Sequence, residues 1–377
     1  MEKRPRASPP RILILTLSHG ASHRRASNAL AKALLELQPQ AEVRVEDALE
    51  RTARWFRMYY NSYEIPLKYF PSFWAWIESV QHRSDSTGPG WLYRAGAKPL
   101  FRYIEEFRPD VVVATEVGIA EFTAMHRRQG RARYLLVGIV LMDFNRAWVR
   151  PEIDLYPSVP GEMAAVLRVA GVPGEKILPC GLPIDPVFAA LPEREATRQR
   201  LGIEAGVPMV LVLFGGGGHG NPARIIDELQ KVRQPLAAVF VAGKNRRLEE
   251  EIRRRCAEIP RFRTLGWVEN MHEWMVAADL LLSKPGGSTL MEGLACGLPM
   301  LAFDPLPGNE RRTALQIEKW KVGLWIRKPE DISPTIERLL GHPEELAELQ
   351  RTARALARPH AAHDAAKAIL ERWEKGA

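Results

Sequence analysis

The chain has 377 residues, 46% of them apolar and 26% charged, a composition that excludes long disorder and a length that favours two domains of roughly 150–200 residues. Lys and Arg number 53 against 45 Asp and Glu, and the net charge of +8 draws lipid headgroups, nucleotide phosphates or nucleic acid without choosing among them. Cys180, Cys256 and Cys296 lie far apart with no C-x-x-C pair, which argues against a disulfide framework and a zinc site and fits a reducing cytosol.

The basic start "MEKRPRASPPRILILTL" carries an apolar run of about six residues, shorter than the ~7–15 of a signal peptide, so Ile12–Leu17 reads as a first buried strand. Small residues follow in "SHGASH". A helix comes next, with Ala26, Leu30, Ala33, Leu34 and Leu37 on one face. Residues 51–83 are the most unusual stretch, holding Trp55, Phe56, Tyr59, Tyr60, Tyr63, Tyr69, Phe70, Phe73, Trp74 and Trp76. Arg51, Arg54, Arg57, Lys68 and Arg83 outnumber Glu64 and Glu78 there, the mixture of rings and cations that an interfacial segment uses against anionic lipid. A helical pair with its rings packed inward is the plain structural reading. Stacked single-stranded nucleic acid is a third, but no RNA-binding signature accompanies it.

Apolar strands then alternate with helical stretches: "DVVVATE" (110–116), "YLLVGIVLMDF" (134–144), "VPMVLVLF" (207–214), "AAVFVAG" (237–243), "DLLLSK" (279–284) and "PMLAF" (299–303). Alternation of this kind predicts parallel sheets covered by helices, an α/β chain of two doubly wound, Rossmann-like domains with a ligand cleft between facing strand ends. The proline-rich stretch 180–195 marks the joint, giving domains 1–185 and 186–358 and a terminal helix over 359–377. The longest apolar run, 134–142, is far short of the ~18 residues of a spanning helix, so any membrane contact is peripheral.

Two glycine loops stand at strand ends in the second half. "GGGGHG" (215–220) contains G-x-G-x-x-G, yet the next strand ends in Gly243 and Lys244 where a nicotinamide site needs an acid for the ribose, and that reading fails. What remains is a loop, Gly215, Gly216 and Gly217 included, whose backbone can approach phosphate. In "SKPGGSTLMEGLACGLP" (283–299) the strand ends at Lys284, "PGG" turns, and a helix capped by Ser288 or Thr289 runs to Gly297. Thr289 and Glu292 have capping-box spacing, so the carboxylate either satisfies backbone N–H groups or bonds a ligand. The functional alternative has amides of Gly286–Thr289 receiving a diphosphate.

Residues 265–310, "LGWVENMHEWMVAADLLLSKPGGSTLMEGLACGLPMLAFDPLPGNE", resemble the donor-binding half of UDP-sugar glycosyltransferases. The type includes the peptidoglycan-precursor N-acetylglucosaminyl transferase, monogalactosyldiacylglycerol synthase and the processive diacylglycerol glycosyltransferases, with a looser match from residue 11 to about 330. The resemblance implies the fold called GT-B, uracil held near Trp267 and Val268, diphosphate at Gly286, Gly287, Ser288 and Thr289, and ribose on Glu292. It places Asn309 and Glu310 of "PGNE" against the sugar, where relatives carry Pro-Gly-Gln-Glu; Asn is one methylene shorter, so the sugar's identity does not carry over.

In the first half, relatives have Gly-Gly-Gly-His after the first strand, and this chain has "HGASH", keeping Gly20 and His23. His23 is the implied base toward the acceptor hydroxyl. Asp143, in a "MDF" step where relatives have Thr-Asp-Phe, is a second candidate for base or for holding His23. Relatives also carry an aromatic insert thought to face the bilayer, which assigns Arg54, Trp55, Phe56, Arg57, Tyr59, Tyr63, Phe73, Trp74 and Trp76 to acceptor or membrane contact. In relatives the terminal helix crosses back to the first domain. The expected activity is metal-independent, inverting transfer from a UDP-sugar to a lipid-type hydroxyl, with no further cofactor, no nucleic acid, and a cytoplasmic place on the inner face of the membrane. A UDP-sugar epimerase and a silent nucleotide-sugar sensor are the rival readings.

Overall fold

The computed structural model describes residues 8–17, 21–62, 70, 84, 86–130, 132–142, 146–215, 221–306 and 308–376. The chain divides into two compact units, residues 1–186 with 360–377, and residues 187–359.

In the first unit, β1 (Arg11–Thr16) leads through α1 (Ala21–Leu37) to β2 (Glu42–Asp47). Among the described residues α2 (Arg54–Asn61), α3 (Gly90–Gly96) and α4 (Lys98–Phe107) follow, before β3 (Val111–Ala114), α5 (Val117–Arg128) and β4 (Leu135–Gly138). The four strands are parallel in the order β2-β1-β3-β4. β1 and β3 are buried throughout their apolar runs because helices cover both faces, as parallel crossovers require. A short parallel pair, β5 (Tyr156–Pro157) and β6 (Ile177–Leu178), brackets α6 (Glu162–Val169). Among the described residues of the apolar stretch 134–144 the ladder ends at Gly138, with an isolated bridge at Val140.

The second unit holds α7 (Arg194–Leu201), β7 (Met209–Leu213), α8 (Pro222–Gln230), β8 (Ala237–Val241), α9 (Arg246–Cys256), β9 (Phe262–Leu265) and α10 (Met271–Ala277). It continues with β10 (Leu280–Ser283), α11 (Gly287–Ala295), β11 (Met300–Phe303), α12 (Asn309–Lys319), β12 (Gly323–Ile326), α13 (Ile332–Gly341) and α14 (Pro343–Leu356). Its six parallel strands run β12-β11-β10-β7-β8-β9. The last helix, α15 (Ala361–Lys375), returns to the first unit and lies along α1. Ala361, Ala362, Ala365 and Ala366 are fully buried there, their small side chains permitting close approach, and His363 Nε2 stands 2.7 Å from Glu36 at the rim. Among the described residues no helix is long and apolar enough to cross a membrane.

Helix α2 divides the aromatic residues between core and solvent by helical period. Phe56 is fully buried, its ring 5.6 Å from those of Tyr93 and Phe122, and Gly96 packs so closely on it that a Cβ there would fall 2.2 Å from the ring. Phe56 is therefore a core residue, a correction to its assignment to lipid contact. Met58 lies on the far side and is 74% exposed, while Trp55 and Tyr59 flank Phe56, their rings 5.6 and 6.0 Å from its ring but about half exposed to solvent. Phe56→Ala is expected to lower unfolding free energy by about 3–5 kcal/mol, while Trp55→Ala changes it by no more than ~0.5 kcal/mol. Urea unfolding followed by circular dichroism checks both, and equal losses would contradict the division.

Candidate active site

Doubly wound sheets bind ligands outside the carboxyl ends of the strands, where the strand order reverses and adjacent helices leave on opposite faces. In the first unit that point lies between β1 and β3, and in the second between β7 and β10.

His23 is the third residue of α1, so the turn after β1 carries it to the first of these points. Its Nδ1 stands 2.6 Å from the backbone oxygen of Thr115, the residue that follows β3. A carbonyl only accepts, so Nδ1 carries the proton and donates, leaving Nε2 as the lone-pair nitrogen of the neutral ring. Ser27 Oγ ties the same turn together, donating to His23 O at 2.9 Å and lying 3.3 Å from the buried Thr115 Oγ1. The orienting group is thus a main-chain carbonyl, which reading side chains alone misses. The adjacency of β1 and β3, from which it follows, is visible only in the strand order. Glu116, the other acid at this edge, caps α5, accepting from Ile119 N at 3.0 Å and from Tyr60 Oη at 3.2 Å. Gly20, Tyr63, Phe73, Trp74, Trp76 and Asp143 lie outside the described residues.

At the second point the strand ends present Gly215, Lys244, Trp267, Lys284 and Asp304. Gly215 is exposed with φ +73°, a left-handed conformation that suits glycine; Gly216 and Gly217 lie outside the described residues. Trp267 is exposed, with Lys244 Nζ 4.6 Å from its ring centroid, and Val268 is half-buried beside it. In the sequence Lys244 counts only against a nicotinamide site. The structure makes it the cation packed on this ring.

The capping of α11 differs from expectation. The helix starts at Gly287, and its N-cap is Gly286, extended at φ −73°, ψ 138°, which has no side chain with which to cap. Ser288 and Thr289 lie inside the first turn instead of before it, and Glu292 falls in the second turn, so the Thr289–Glu292 capping box is not formed. The amides of Gly287, Ser288 and Thr289 belong to the positive end of the helix dipole. Glu292 is only 6% exposed, among buried Leu290, Met291 and Leu294. Burial, joined by the Glu292 carboxylate, pushes the Cys296 thiol up. The helix ends as its sequence predicts, with Gly297 at φ +64° and the Leu298 and Gly297 amides donating to Gly293 and Leu294.

Asn309 and Glu310 open α12. Glu310 Oε2 accepts from Leu306 N at 2.7 Å, closing its own loop, while the exposed Asn309 carboxamide oxygen accepts from the Arg312 guanidinium. Arg54 is exposed and Arg57 half-buried on α2, beside the exposed rings.

Two family models match consecutive parts of the chain: monogalactosyldiacylglycerol (MGDG) synthase over residues 23–184 and glycosyl transferases group 1 over residues 211–342. A processive diacylglycerol beta-glucosyltransferase of Bacillus cytotoxicus is 25% identical over 376 residues, covering 96% of this chain and 94% of that protein. Among solved structures, MurG of Acinetobacter baumannii superposes with a TM-score of 0.63 at 15% identity, covering 96% of this chain and 100% of that one. A putative UDP-N-acetylglucosamine 2-epimerase of Listeria monocytogenes gives 0.64 at 13% identity, covering 98% of each chain. At such identities the structures establish the fold alone, and they do not separate transferase from epimerase. The two family matches do: the chain is a glycosyltransferase built of two Rossmann-like domains. Its likeness is to the type that includes MGDG synthase and the processive diacylglycerol glucosyltransferases.

The tautomer of His23 follows from the geometry. Nitrogen-15 NMR of the neutral ring is expected to show protonation at Nδ1 and a bare Nε2; the opposite pattern would remove Thr115 O as the orienting acceptor.

Proposed function

We propose that this protein transfers a sugar from a UDP-sugar to a hydroxyl of a lipid or membrane-associated acceptor, diacylglycerol-like in chemistry, by direct displacement with inversion and without a metal. The observation that carries the reading is the 2.6 Å contact of His23 Nδ1 with Thr115 O, which leaves Nε2 ready to accept a proton. In the reaction Nε2 takes the acceptor's hydroxyl proton as that oxygen bonds to the anomeric carbon. The bond from that carbon to the phosphate oxygen breaks, and its electron pair leaves with UDP. The amides opening α11 meet the negative charge that develops on the diphosphate, and preorganised donors of this kind act strongly where water is scarce. Glu292 is assigned to the ribose hydroxyls, Trp267 and Val268 to the uracil, and Asn309 and Glu310 to the sugar. Among these, Glu310 also holds its loop through Leu306.

The acceptor class is supported by the likeness of residues 23–184 to MGDG synthase and of the whole chain to the diacylglycerol beta-glucosyltransferase of Bacillus cytotoxicus. It is supported independently by the outward face of α2, where Trp55, Met58 and Tyr59 stand beside Arg54 and Arg57, and by Trp91 on the adjoining α3, 74% exposed. Rings and a thioether at headgroup level with cations around them suit a peripheral, anionic membrane surface, assigned here to the inner face of the cell membrane.

A panel of UDP-sugars offered with vesicles containing diacylglycerol, read by mass spectrometry, tests the reading: a new glycolipid is expected. An isomerised UDP-sugar without glycolipid would favour the epimerase, and no conversion of a bound nucleotide would favour a sensor. His23→Ala should keep UDP binding and lower turnover by roughly 10²–10⁴; unchanged turnover would remove His23 from the chemistry. Reversing charge at Arg54 and Arg57 should weaken binding to anionic vesicles more at low salt than at high salt. Equal loss at both salts would mean that the charges are not the cause.

A further inference from the structure

Lys284, at the carboxyl end of β10 immediately before the turn into α11, is 9% exposed. Among the described residues it pairs with Asp304 Oδ2 at 3.7 Å, beyond hydrogen-bonding distance, and the Asp304 side chain is 58% exposed. Burying an ammonium is costly, and a single long contact with a solvated carboxylate offsets that cost poorly. Asp304 follows β11, the neighbouring strand, and holds a left-handed conformation at φ 43°. The two charges therefore stand side by side at the strand edge from which the uncapped α11 begins, at the reversal of strand order.

We propose that Asp304 is a placeholder anion: it holds Lys284 in the empty site and gives up the ammonium to the phosphates when a nucleoside diphosphate settles on the first turn of α11. The inference rests on the assignment of the donor to that turn and adds the cation which that assignment lacks. It also explains the poor pairing. A weak, exposed partner is readily displaced by a doubly charged one, whereas a buried bidentate partner would compete with the ligand.

Calorimetric titration of the full chain with UDP and with uridine tests this in Lys284→Met, Lys284→Arg, Asp304→Asn and Glu292→Gln. Lys284→Met should weaken UDP by roughly 10–100-fold while uridine stays within about twofold, with Lys284→Arg restoring much of the loss. Asp304→Asn, which keeps the left-handed backbone accessible, should tighten UDP several-fold at low salt and less at high salt. Equal loss of UDP and uridine in Lys284→Met, or weakened UDP in Asp304→Asn, would overturn the proposal. Should Lys284→Met fail to fold, the sign of the Asp304→Asn effect decides alone. Glu292→Gln separates the two levels: if it leaves UDP and uridine binding unchanged, the donor is not on α11 and the placeholder goes with it. If it weakens both while Lys284→Met changes neither, only the placeholder fails.

Discussion

Each unit depends on one aspartate placed at the amino end of a strand. Asp279, just before β10, donates its N–H to Met209 O at 2.8 Å and accepts the Met209 N–H on Oδ2 at 2.8 Å. Asp110, just before β3, does the same to Arg11, with both bonds at 2.8 Å. Each clamp joins the two strands that flank a reversal of strand order, β7 with β10 and β1 with β3, and satisfies the first amide of the central strand, which has no ladder partner. A parallel register fixed at one end is fixed at the other, because both strands rise by the same amount per residue. The clamp at Asp110 thereby brings Thr115 level with the turn that carries His23, and the clamp at Asp279 sets where Lys284 and the α11 turn emerge beside Gly215.

The clamps differ in reinforcement. Asp279 also accepts from Arg194 at 2.6 Å, and the buried Arg198 donates to Ala277 O and Val207 O, both at 2.6 Å, so α7 is bolted to the same strand ends. Among the described residues of the first unit Asp110 has no such guanidinium cluster, and Ser27 bridges α1 and the end of β3. Rigidity thus enters from the amino edge in one unit and from within the carboxyl edge in the other. A carbonyl whose position the sheet dictates holds the His23 ring with less freedom than a carboxylate on a rotatable side chain would.

How far the sequence could be read follows from burial. The strands visible as apolar runs, β1, β3, β7, β8, β10 and β11, are covered on both faces. Of the strands without that signal, β2 with "EVRVED" and β9 with "FRTL" are half-solvated sheet edges that carry charge and lose the apolar signature, while the edge strand β12, "GLWI", is uncharged but only four residues long. Phe56 was misread for a related reason: composition counts rings, whereas the period of α2 decides which enter the core, and only Phe56 of this helix is buried. The capping box failed because Thr289 and Glu292 have the right spacing one turn too late, the two glycines having already let the helix begin. Spacing specifies a motif only once the first helical residue is known.

The loop between β11 and α12 shows how a site motif divides its labour. Asp304 and Gly308 both take positive φ, so the chain reverses sharply at each end of a short stretch, and Glu310 returns a carboxylate to Leu306 N to hold the stretch shut. A residue that closes its own loop has one oxygen fewer for a ligand. Asn309, exposed at the first helical position, likewise has its carboxamide oxygen on the Arg312 guanidinium, so each member of the pair already holds one internal bond. A side chain one methylene shorter than glutamine sets that end back by about 1.5 Å. A hydroxyl contact tuned over a few tenths of an ångström does not survive such a change unless the sugar or the loop moves to meet it. If the pair meets the sugar as proposed, the shorter reach of Asn309 is the reason that the sugar taken by relatives with glutamine there does not carry over to this chain.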